Sequence, residues 1–139
     1  MAPSVAAPRI KEALTRALEI DADLAEGHAS LGLMKDRFEW DGAGAEKEFR
    51  RASELNANYP TTHHWYANFL SQRKRNDEAI TESRLAQKLD PLSPIINSVL
   101  ALTLLTAGKY DSAGGRGFTE KRLPKHKKQR LILAARRDT

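Results

Sequence analysis

Two adjacent histidines, His63 and His64, are the side chains in this sequence best suited to chemistry, as metal ligands. Their adjacency argues against a shared ion. Neighbouring residues on a helix point about 100° apart, and no Cys/His pattern of the zinc kind accompanies them. Asp77 and Glu78 are the next candidates, as acid–base carboxylates. They stand at the expected start of a helix, where the dipole alone attracts acidic residues. Gly114-Gly115-Arg116-Gly117 has the glycines of a phosphate loop but lacks the Lys-Ser/Thr ending and the preceding strand. No catalytic set, metal site or cofactor site is therefore expected, and the chain does not read as an enzyme.

The 139 residues are enough for one domain. There is no cysteine, which excludes disulfides and thiolate chemistry. No secretory signal and no run of membrane-spanning length is present, so the cytoplasm is the expected location. The net charge of +5 is unevenly distributed. Residues 1–113 hold 14 Lys and Arg against 16 Asp and Glu, a net of −2, whereas residues 114–139 hold 9 against 2, a net of +7. Within that basic tail Lys121, Arg122, Lys125, Lys127, Lys128 and Arg130 form a candidate polyanion-binding set. Phe118 is its single aromatic, which serves base stacking poorly, and charge runs are more often solvated than bound. Nucleic-acid or polyanion binding is accordingly the alternative reading.

The elements that would position any site are helices. The stretch from Pro60 to Ser93 reads as two helices, about Pro60–Gln72 and Asp77–Leu89, folded back through the short polar turn Arg73-Lys74-Arg75-Asn76. Asn76 is placed to cap the second helix and Pro91 to stop it. One such hairpin cannot bury its own apolar face and must stack on copies of itself. The copies recur at about 34 residues. Ala45, Ala79 and Ala113 are spaced 34 and 34, while Ala17, Ala52 and Ala86 are spaced 35 and 34, as are Ile20, Leu55 and Leu89. The unit ends Ile20-Asp21-Ala22, Leu55-Asn56-Ala57 and Leu89-Asp90-Pro91 fall in the same register.

Helix pairs at this period resemble the tetratricopeptide repeat (TPR) family over residues 8–113. The places usually held by Trp, Leu, Gly and Tyr carry His28, Leu31, Gly32 and Lys35 in one unit and His63, Tyr66, Ala67 and Leu70 in the next. The resemblance implies an all-α fold, a tetratricopeptide-like solenoid of antiparallel helix hairpins. Its expected parts are a disordered N-terminus (1–7), a half repeat (8–23) opened by Pro8, repeats at 24–59 and 60–93, a partial repeat (94–113) and a basic tail (114–139) that is irregular or partly helical. Ser93-Pro94 opens the partial repeat, and Phe38 and Trp40 are expected to pack over the turn of the first complete one. Gly114, Gly115 and Gly117 interrupt the last unit, each costing a helix interior about 1 kcal/mol.

In the TPR family the first helices of successive units line a groove that takes a peptide or a partner's helix. By register, that groove is lined here by Glu26, Leu33 and Arg37, then Thr61, His64, Asn68 and Gln72, then Ser98 and Leu102. Asn68 is the side chain best suited to hold a bound backbone, because an amide both donates and accepts. Ala29 and Leu33 stand where chaperone-binding TPR adaptors carry a lysine and an asparagine, so that carboxylate clamp is not expected. The groove becomes more apolar toward Ile95, Leu102 and Leu105. Phe38-Glu39-Trp40, Tyr59–Tyr66 and Asp90–Asn97 further resemble TPR segments of multidomain bacterial regulators. The expected function is thus a non-catalytic protein-interaction module with a peptide or helix as partner. An array that ends on an incomplete unit also exposes an apolar end through which two copies could pair.

Overall fold

A computed structural model describes residues 3–108, and the chain there is all-helical. Six helices follow one another: α1 (Pro3–Ile20), α2 (Ala25–Phe38), α3 (Gly42–Leu55), α4 (Pro60–Gln72), α5 (Asn76–Leu89) and α6 (Pro94–Thr106). No strand occurs among the described residues. Each helix packs on the next in sequence, and α4 also touches both α2 and α6. Turns of three residues join α2 to α3 and α4 to α5, so each pair runs back antiparallel as a hairpin. No described helix is long and apolar enough to cross a membrane.

Local signals account for three of the helix starts. Pro60 and Pro94 occupy the first helical turn, where a missing N–H costs nothing. The Ser93 hydroxyl accepts from Ile96 N, and the Asp41 carboxylate accepts from Gly44 N at 2.9 Å. Three expectations are corrected. Helix α1 begins at Pro3 rather than Pro8, so residues 3–7 are helical. Pro8 lies in the second turn, among strong helix formers including Ala6 and Ala7. Asn76 does not cap α5 but is its first residue, with its Oδ1 buried and unpartnered; the preceding Arg75 is fixed by its own ion pairs. Phe38 ends α2 and is 43% exposed, and Trp40 does not pack over the turn: it is 88% exposed. Its φ of +54° lets Asp41 N reach back to Lys35 O, and that backbone closure carries the ring outward.

The core lies where the two central hairpins meet. Phe49 of α3 is fully buried, stacked on Tyr66 at 5.6 Å between ring centroids and tilted against Phe69 at 5.7 Å. Ala45, Leu70 and Ala79 complete the cluster. Gly32 lets α2 approach, since a Cβ there would stand 3.1 Å from both the Phe49 ring and the Ala45 carbonyl. A second cluster of Ile80, Leu100 and Leu104 joins α5 to α6, beside a buried hydrogen bond from Ser83 to Thr103.

Charge fastens the rim of the same junction. Arg75, in the turn before α5, binds Glu46 of α3 through two bonds of 2.6 and 2.9 Å. The Tyr66 hydroxyl and Arg50 also donate to Glu46, at 3.0 and 2.7 Å. These donors, Arg75 foremost, hold the Glu46 carboxyl at about 2 against the opposing effect of burial. Arg73 lies 3.7 Å over the Phe69 ring and bonds Asp36 of α2 at 2.8 Å.

Two outcomes follow for stability. Phe49→Ala is expected to cost about 3–5 kcal/mol in urea denaturation, the usual penalty for deleting a buried aromatic. Glu46 has a depressed folded pKa, so its contribution is present above the ordinary value of 4.5 and is lost as the pH falls toward about 2. Glu46→Gln should therefore destabilise the chain at neutral pH by about 1–3 kcal/mol. The same substitution should flatten the loss of stability between pH 4.5 and about 2. Stability measurements across that range check both statements.

Candidate functional site

Two sets of polar side chains in this fold have opposite bonding. One group is internally satisfied and repeats. In the first hairpin His28 Nδ1 lies 2.7 Å from Glu48 Oε2, and its Nε2 lies 2.8 Å from the Ala22 carbonyl. In the second hairpin His63 Nδ1 lies 2.6 Å from Glu82 Oε2, and its Nε2 lies 2.7 Å from the Ala57 carbonyl. At the next recurrence Asn97 Nδ2 donates to the Pro91 carbonyl at 2.9 Å, and its Oδ1 accepts from Gln87. Each residue clasps a carbonyl six positions earlier. The clasp pins the turn before a hairpin to the first helix of that hairpin.

Both ring nitrogens of His63 are thus engaged within the fold. Its hydrogen bond to Glu82 raises its pKa, outweighing the burial that acts the other way. His64 behaves oppositely: it is 8% exposed, and burial lowers its pKa, so it is neutral at pH 7. Among the described residues no group of three or more His, Cys, Asp or Glu is gathered to hold a metal. Glu78 is engaged with Arg75 at 2.7 Å.

The second group comprises the residues assigned to a groove. Thr61, His64, Asn68 and Gln72 recur three or four apart on α4 and share one of its faces. Glu26, Leu33 and Arg37 share a face of α2, as Ser98 and Leu102 do on α6. Because α4 packs against both α2 and α6, the three first helices adjoin as one row. Glu26, Arg37, Thr61, His64, Asn68, Gln72 and Ser98 have no side-chain hydrogen bond or ion pair among the described residues. Thr61 and Asn68 are half-buried, and Glu26, Arg37, Gln72 and Ser98 are exposed. On α6, Leu102 is 63% exposed and Ile95 60%. The row is polar along α4 and apolar along α6.

Sequence reasoning missed the partners that make the clasps, although Glu48 and Glu82 are themselves 34 residues apart. It also missed Glu46 as the hub of four hydrogen bonds from Arg75, Arg50 and Tyr66. The candidate polyanion set, Lys121, Arg122, Lys125, Lys127, Lys128 and Arg130, lies outside the described residues, as do Tyr110, Ala113 and the rest of the tail. No protein-family model matches the chain, and no curated protein matches it significantly.

Proposed function

We propose that this chain is a non-catalytic protein-interaction module of the TPR kind, binding a peptide or partner helix across the row formed by α2, α4 and α6. The architecture in this reading is a short solenoid of helix hairpins, supported by the recurrence of the carbonyl clasps at Ala22, Ala57 and Pro91. The observation that carries the functional reading is the α4 stripe of Thr61, His64, Asn68 and Gln72, none of which has a hydrogen-bond partner among the described residues. Half-buried polar groups without a protein partner are left to water, which an incoming backbone can displace. A row that leaves them unpaired, while nearby His63, Glu46 and Tyr66 are all engaged, is suited to an incoming backbone. The exposed Ile95 and Leu102 then suit the apolar side of an amphipathic helix or of an extended apolar peptide.

The test is selection from a displayed random-peptide library on the full chain, followed by titration of the recovered peptide against variants. Asn68→Ala should weaken binding by about tenfold, the worth of one hydrogen bond of about 1–1.5 kcal/mol. Leu102→Asp should weaken it further, by placing an unpaired charge in the contact. Peptides indifferent to both changes but lost when Lys121, Arg122, Lys125, Lys127, Lys128 and Arg130 are replaced by glutamine would overturn the reading in favour of the tail.

A further inference from the structure

The two oxygens that grip His63 require more hydrogens than a neutral imidazole carries. Its Nδ1 faces the Glu82 carboxylate at 2.6 Å and its Nε2 faces the Ala57 carbonyl at 2.7 Å. Neither an ionised carboxylate nor a carbonyl can donate, so both ring nitrogens must be N–H groups, and that is the cation. Loss of either proton sets a nitrogen lone pair against an oxygen at contact distance. The residue is buried, so water cannot readily fill in.

Comparison of the two hairpins makes the dependence stronger in the second, where the histidine is the more buried of the two. In the first, Glu48 is also held by Lys35 at 3.2 Å, a cation whatever the state of His28. Thirty-five residues on, the place of Lys35 is taken by Leu70. Glu82 therefore has His63 as its one cationic partner among the described residues. From α5, Glu82 faces His63, and from the turn before α4 only the Ala57 carbonyl does. No charged side chain of α2, α3 or α6 acts on it among the described residues, and the adjacent titratable group on α4, His64, is neutral at pH 7.

We propose that the His63–Glu82–Ala57 contact is a proton-operated latch, which when protonated fastens the start of α4 to α5 and to the preceding turn, and when deprotonated lets that joint loosen. The joint lies between the two central hairpins, so the latch sets how firmly the start of α4, with Thr61 and His64, is held. It does not depend on what the α4 face binds. The sign follows from the raised folded pKa: the latch's contribution is full below the ordinary histidine value of 6.5 and is lost as the pH rises through the higher folded value. The third recurrence supplies a natural control, because Asn97 clasps the Pro91 carbonyl with no titrating group.

The experiment is NMR titration of the histidine rings in the full chain, with thermal melts from about pH 5.5 to about pH 8.5. His63 should titrate above 6.5 and above His64, and the melting temperature should fall as the pH crosses the His63 midpoint. In Glu82→Gln the amide can serve a neutral imidazole, so the His63 midpoint should drop and the melt should lose this pH dependence. His63→Asn, which copies the clasp made by Asn97, should also lose the fall in melting temperature as the pH rises above 6.5. A His63 midpoint below 6.5 in the unaltered chain overturns the proposal, whatever the variants do. So does a Glu82→Gln or His63→Asn chain that keeps the original pH dependence.

Discussion

The packing of Phe49 between two hairpins is the contact on which the rest of this structure depends. The ring comes from α3 and is enclosed by Tyr66, Phe69 and Leu70 of α4, with Ala79 of α5 beside them. It can sit there because the residues around it are small where backbones must approach: Gly32 on α2, Ala45 one turn earlier on α3, and Ala79 on α5. Tyr66 couples this apolar cluster to the charged rim. Its ring stacks on Phe49 while its hydroxyl donates to Glu46, the carboxylate that Arg75 grips from the next turn. Removing the aromatic contact would therefore also unseat the ion pairs above it.

That junction also places the polar clasps. Fixed helices let His28, His63 and Asn97 reach carbonyls in the turns behind them, so these polar groups are spent on holding the fold. The α4 stripe on another face has no such partners, and the fold carries the resulting desolvation cost at His64, which is buried and neutral at pH 7. The functional reading rests on this asymmetry between satisfied and unsatisfied polar groups.

Much of the fold was legible because it depends on local chemistry. Pro60, Pro94 with Ser93, and the recurring alanines at 45, 79, 52 and 86 mark helix starts and close contacts, and the structure buries all four alanines. What could not be read is what depends on two distant residues meeting. Asn76 looks like a cap in isolation, yet Arg75, clamped by Glu46 from 29 residues away, sets where α5 begins. Trp40 looks like core material by type, but a left-handed backbone turns it to solvent. For the candidate site, spacing placed Thr61, His64, Asn68 and Gln72 on one face. It could not reveal that they lack partners while His63, one residue away, has two.

Native-state hydrogen exchange on the full chain tests most directly whether the two central hairpins form one body around Phe49. If they do, the slowest amides of α3 and α4 open together, with one free energy and one dependence on denaturant. If the amides of α2 and α3 exchange through a separate, lower-energy opening that leaves α4 and α5 protected, the hairpins are independent, and Phe49 does not hold them together.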